Sequence, residues 1–190
     1  MAKAEPITGL NAQAPTHENA RIIARAKMND FYRWQEYANQ PYAQRELHNM
    51  RIAAKRLRYT LEIFEDFLPS ECQSVRTEME QFQEELGQLH DSDVMILMLR
   101  LCLARKDGTT DEQTLQAKER KQAKSSLPPD LLPILLDNKV TPDSEQRYGL
   151  EQLLRASEQD RIRRYQAFYQ HWQHLQEQDF QHHLSEILDQ

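Results

Sequence analysis

At 190 residues, with 39% apolar and 28% charged side chains, the chain suits one domain rather than two independent ones. Its 24 Lys and Arg stand against 30 Asp and Glu, a net charge of −6, so the overall field repels a polyanion and an anion site requires a local concentration of cations. Four glycines exclude a many-stranded β fold with tight turns and a Gly-rich phosphate loop, while Cys72 and Cys102 in apolar helical patterns argue against a disulfide framework and fit a reducing compartment.

Residues 1–15 are small, polar and punctuated by proline, which predicts a flexible tail; they carry neither the apolar run of an export signal nor an Arg-rich transit pattern. Residues 16–190 are expected to form a single helical domain. A first helix starts with Thr16 as N-cap, carries Ile22, Ile23, Ala26 and Phe31 toward Tyr37, and stops at Gln40-Pro41. The second spans about Tyr42 to Phe67 and ends at Leu68-Pro69. Ser70 and Gln73 have capping-box spacing for a third helix to about Leu86. A turn or kink is expected over Gly87 to Asp91, with Gly87 permitting either that turn or a close helix approach, then a strongly apolar fourth helix from Asp93 to about Arg105.

A loop at Lys106 to Thr109 leads into a short helix from Thr110 to about Lys124. Four of the eight prolines crowd residues 125–142, a connector whose Leu131, Leu132, Ile134, Leu135 and Leu136 are expected to pack onto the bundle. Thr141 as N-cap and Pro142 at the first helical position open a long last helix through Leu150, Leu153, Leu154, Tyr165, Phe168 and Trp172. It is expected to bend near Asp179 before Leu184, Ile187 and Leu188. The longest apolar run, Met95 to Ala104, is broken by Arg100 and is too short to cross a bilayer. The expectation is a soluble, cytoplasmic, all-α protein: an antiparallel helical bundle with a four-helix core and extra helices.

One segment concentrates chemistry: His48-Asn49-Met50-Arg51-Ile52-Ala53-Ala54-Lys55-Arg56-Leu57-Arg58-Tyr59. On a helix, His48, Arg51, Lys55 and Arg58 fall within about 80° of one another and form a stripe about 15 Å long. Met50, Ala54, Leu57, Leu61 and Phe64 make a second, apolar stripe on roughly the opposite side. Like charges at these spacings repel, so something must offset them. Acidic partners in the fold, counterions in solvent and a polyanionic ligand all satisfy that requirement. Arginine forks suit the oxygens of a linear phosphate polymer, lysine adds a point charge, and histidine adds a donor whose strength depends on pH. Asp91 and Asp93 are candidate supporting carboxylates, either as structural partners or as groups that hold Arg51 or Arg58 for a ligand.

The stretch from Leu47 to Glu62 resembles the signature of the CHAD domain family: a histidine, an arginine three residues on, a basic pair and a further arginine. Leu86-Gly87-Gln88-Leu89-His90-Asp91-Ser92-Asp93-Val94 resembles the family's leucine–glycine turn followed by an aspartate pair, and the last helix, with Trp172, Leu175 and Phe180, is loosely similar to its closing segment. The resemblance implies a helical module that binds inorganic polyphosphate through a basic surface and has no catalytic role of its own. It also implies two four-helix bundles related by a pseudo-two-fold, each with one basic motif, around a central pore. Here only one His-x-x-Arg motif is present in a short chain, so the resemblance is to a half-size member, mostly the second half of the usual fold. A homodimer is expected to restore the missing motif.

Carried over position by position, the resemblance makes His48, Arg51, Lys55 and Arg58 the polyphosphate-binding residues. Arg56, Tyr59, Arg21 and Arg25 are candidate further anion contacts, with solvation or packing as their alternatives. No cofactor, metal, membrane or specific nucleic acid is implied. His171, His174, His182 and His183 with Asp179 are not taken as a zinc site, since no cysteine accompanies them. Glu84-Glu85 and Glu62-Glu65-Asp66 lack a marked cleft or nucleophile, and the basic run from Lys118 to Lys124 suits a solvated helix end. The rival readings are a protein-interaction module whose basic face is paired with acids and, less favoured, a metal-dependent polyphosphate or triphosphate hydrolase.

Overall fold

The computed structural model describes residues 6–103 and 142–189, whose regular structure is helical, with no strand among the described residues. Helix α1 is Thr16–Tyr32, α2 is Gln44–Ile63, α3 is Cys72–Leu103, α4 is Ser144–Glu177 and α5 is Phe180–Asp189; short 3-10 turns lie at Gln35–Tyr37 and Glu65–Phe67. The loop at 106–109, the helix expected to about Lys124 and nearly all of the connector at 125–142 lie outside the described residues. The chain divides into two compact units, Met1–Gln88 with Arg164–Gln190 and Leu89–Arg163.

The first unit is built on the apolar periodicity of its helices. In α2 the buried positions Leu47, Asn49, Met50, Ala53, Ala54, Leu57, Thr60 and Leu61 follow helical spacing, so one face is committed to the core. The helix stops at Phe64 (φ −105°, ψ 19°), and Leu68 is extended (φ −111°, ψ 156°), as the residue before Pro69 must be. The centre of the core is aromatic. Phe31 of α1 meets Phe82 of α3 edge to face at 5.2 Å, and Phe82 meets Phe168 of α4 at the same distance, with Trp172 alongside. Phe180, Leu184, Ile187 and Leu188 of α5 are buried against this unit.

In the second unit Leu97 and Leu101 form an apolar cluster with Val94 and Met98. Its polar ties join α3 to α4: Arg161 Nε donates to Asp93 Oδ1 at 2.5 Å, Arg100 pairs with Glu158 at 2.8 Å, and Arg147 donates to the Leu103 carbonyl at 3.1 Å.

The helix boundaries differ from expectation in several places. Thr16 is the first residue of α1 and not its N-cap, which is Pro15 without a side-chain cap, and α1 stops at Tyr32, leaving Gln35–Tyr37 as a separate 3-10 turn. Likewise α2 ends at Ile63, with Glu65–Phe67 a separate 3-10 turn. The turn over Gly87 to Asp91 is absent, and α3 runs 32 residues without a break. One helical glycine costs only about 1 kcal/mol, and the burial of Leu86, Leu89 and Ile96 keeps the helical period going past it. Ser70 makes no capping box: its hydroxyl donates to the Glu71 carboxylate at 3.2 Å, and the Gln73 N–H goes to the Ser70 backbone carbonyl at 3.1 Å. At α4 the cap is Asp143, not Thr141. The Gln146 N–H donates to Asp143 Oδ1 at 2.8 Å and the Asp143 N–H to Gln146 Oε1 at 3.1 Å, a reciprocal capping box. The expected bend near Asp179 is present, with that residue at φ 49° between α4 and α5.

Candidate functional site

The cations singled out in the sequence fall on α2, away from its buried stripe. His48, Arg51 and Arg58 are half-buried and Lys55 is exposed. Arg51 lies over α3 at Gly87. A Cβ built on that glycine would stand 3.3 Å from Arg51 Nε and 3.7 Å from Nη2, so the guanidinium occupies the space a side chain would need. Arg51 Nε is buried and makes no hydrogen bond among the described residues. A buried donor left without a partner costs about 1–3 kcal/mol, which marks this position as one where stability has been given up.

Arg58 is held on two sides. Its Nε donates to Gln83 Oε1 of α3 at 3.3 Å, and its Nη1 meets Glu62 one turn along α2 at 3.2 Å. Tyr59 carries both neighbouring cations on its ring: Arg58 Cζ lies 4.3 Å and Lys55 Nζ 5.4 Å from the centroid, within cation–π range. Among the described residues neither Arg51 nor Lys55 pairs with a carboxylate. The two adjacent stripe positions therefore differ from Arg58, whose charge is shared with Glu62.

The remaining candidates are placed as follows. Arg56 is half-buried, and its carbonyl accepts the Thr60 hydroxyl at 2.9 Å. Arg21 is half-buried on α1, with Nε buried and without a hydrogen bond among the described residues. It lies near Cys72, whose thiol is pushed up to about 11 by burial and by Glu71 against the opposing pull of Arg21. Arg25 turns to α5, where Nη2 pairs with Asp189 at 2.6 Å. Asp91 is exposed in the second unit, and Asp93 is buried there against Arg161.

Sequence reasoning missed three things. Gln83 and Gly87 meet the arginines of α2, Arg164 donates to Gln88 at 2.6 Å, and His171 is clasped by Glu85 at 2.8 Å and Glu78 at 3.1 Å. The seven-residue spacing of Glu78 and Glu85 places both on one face of α3 and was the available signal for the last of these. The other histidines are dispersed: His174 bonds Gln178 at 2.9 Å and His182 pairs with Glu186 at 3.3 Å. Among the described residues no three His, Cys, Asp or Glu side chains come together as a metal ligand set, and no helix is long and apolar enough to cross a membrane.

A family model described as CHAD domain matches residues 3–100. That span covers just over half of the chain and contains α1, α2 and nearly all of α3, with the cationic stripe and Gly87 inside it. No curated protein and no solved structure matches the sequence. With its basic helix and the helix that underlies it both within the matched region, the chain belongs to the CHAD domain family.

Proposed function

We propose that this protein binds inorganic polyphosphate, without catalysis, along the α2 edge formed by His48, Arg51, Lys55 and Arg58, with Arg56, Tyr59 and Arg21 as flanking contacts. The observation that carries the reading is the pair Arg51 and Lys55, neighbours on one helical edge that no carboxylate neutralises among the described residues. Their mutual repulsion is relieved by a ligand bearing charge at every few ångströms along a line. The Arg58–Glu62 contact does not stand in the way, since an i,i+4 helix pair contributes only about 0.3–0.5 kcal/mol and yields to a phosphate. Membership of the CHAD domain family supports the same ligand. Arg25, already paired with Asp189, is the weakest of the flanking candidates. The proposal places the protein in the cytoplasm, as a homodimer whose second copy supplies a second stripe.

Titration of long-chain polyphosphate at several salt concentrations tests the reading. Binding should weaken steeply as salt rises, because each neutralised phosphate releases counterions. Arg51→Ala and Lys55→Ala should each weaken binding and lower the slope of log affinity on log salt by about 1. Unchanged affinity and slope in both variants would sink the site assignment. Release of orthophosphate with added Mg²⁺ would instead favour a hydrolase.

A second reading, a protein-interaction module, is favoured by the row Tyr59, Ile63 and Phe67, which are 42%, 71% and 45% exposed at four-residue intervals. Ile63→Lys separates the two. It should leave polyphosphate affinity unchanged or slightly raised under the first reading, and abolish self-association or partner binding under the second.

A further inference from the structure

We infer that Gly87 and Gln83 of α3 are positioning residues for the anion site, holding Arg51 and Arg58 of α2 in a prearranged fork; the inference rests on the polyphosphate reading above. Gln83 and Gly87 lie one turn apart on α3, and Arg51 and Arg58 lie two turns apart on α2, so α3 offers one seat to each arginine. At Gly87 the seat is an empty place. A Cβ there would be nearer to Arg51 Nε (3.3 Å) and Nη2 (3.7 Å) than to Cζ (4.0 Å). The guanidinium therefore turns its Nε–Nη2 edge to the glycine, and the terminal Nη1–Nη2 pair is the fork left for phosphate oxygens.

At Gln83 the seat is a hydrogen bond, and again Nε is the nitrogen engaged, 3.3 Å from the amide oxygen. Both arginines thus direct their inner nitrogen to α3, and little side-chain freedom remains to be lost when an anion arrives. Helix propensity cannot account for Gly87. Alanine is the better helix former, and φ at Gly87 is not positive. The distinctive feature is the arginine lying on it.

Two effects of Gly87→Ala consequently run in opposite directions. The helix gains propensity, while Arg51 must move by a few tenths of an ångström. Gly87→Ala should melt at the same or a higher temperature than the wild type yet bind long-chain polyphosphate about threefold more weakly, and Gly87→Leu about tenfold more weakly. In an Arg51→Ala background, Gly87→Ala should cause no additional loss, because there is no guanidinium left to displace. Gln83→Leu should behave likewise toward Arg58→Ala.

A readout without ligand accompanies these. The Arg51 Nε–H resonance, identified by its disappearance in Arg51→Ala, should exchange slowly with water in the wild type and faster in Gly87→Ala and Gly87→Leu. Equal exchange in wild type and variants overturns the seating, whether or not polyphosphate binds. Wild-type affinity in both Gly87 variants, or losses that simply add to that of Arg51→Ala, overturns it too. Failure of the wild type to bind polyphosphate is a different result: it removes the functional reading, and the role of Gly87 in binding with it. If Gly87→Leu fails to fold, Gly87→Ala carries each comparison alone.

Discussion

His171 illustrates how much a single side chain can depend on partners from another helix. Its Nδ1 is 2.8 Å from Glu85 and its Nε2 3.1 Å from Glu78, with its ring centroid 5.7 Å from that of Phe82. Carboxylates only accept, so both bonds are made together only by the doubly protonated imidazolium. The Glu85 hydrogen bond, with help from Glu78, raises the pKa above the usual 6.5 against the opposing effect of burial. A folded-state pKa above the unfolded one means the contribution is fully present below about pH 6.5 and is lost as pH rises through the raised value. Thermal stability should fall as pH increases across that window, by about 2–4 °C if the lost bond contributes about 1 kcal/mol. Glu85→Gln should bring the His171 titration, followed by NMR, back toward 6.5 and flatten the pH dependence. An unchanged titration in that variant would show that Glu85 does not set it.

Among the elements, α2 and α3 are legible in the sequence to different degrees. The faces of α2 follow from spacing alone, because a period of 3.6 residues is a local property and Met50, Ala54, Leu57 and Leu61 lie buried where it puts them. The continuity of α3 did not follow. Gly87 carries the mark of a turn, and only the burial of Leu86 and Leu89 on either side shows why the helix continues. Within the second unit, α3 is tied to α4 by Asp93 and Arg161, whose side chains are 9% and 7% exposed. Removing the carboxylate takes a close charged partner from a buried guanidinium, so Asp93→Ala should lower the unfolding free energy in denaturant titration by about 3 kcal/mol. Replacing both, as in Asp93→Leu with Arg161→Met, should recover most of the loss. The reciprocal cap of α4 is a smaller feature: Asp143→Ala should cost about 1 kcal/mol in the same measurement.

For the whole molecule, a net charge of −6 and a cationic edge on one helix have to be weighed together. The global field disfavours the approach of a polyanion and the local edge favours it, and salt screens the first at longer range than the second. Binding should therefore be strongly dependent on chain length, weak for phosphate and short oligomers and strong once a polymer spans the stripe of about 15 Å. Competition between oligomers of increasing length against a labelled long chain measures this, and affinity independent of length would contradict a linear site. Light scattering with and without long-chain polyphosphate tests the homodimer; a monomer in both conditions would leave a single stripe to do the binding.

The amino-acid sequence by itself determined the all-helical class and the separation of a basic from an apolar face on α2. Both arise from residue composition and short-range periodicity, which act within one or two turns. Which cations are engaged was decided only in the tertiary structure. Arg58 meets Gln83 across 25 residues of chain and Arg25 meets Asp189 across 164, while Arg51 rests on a glycine that offers it no partner. Charge pairing is a matter of distance in space, and distances of that kind are set when the helices pack, after the helical pattern has already been written.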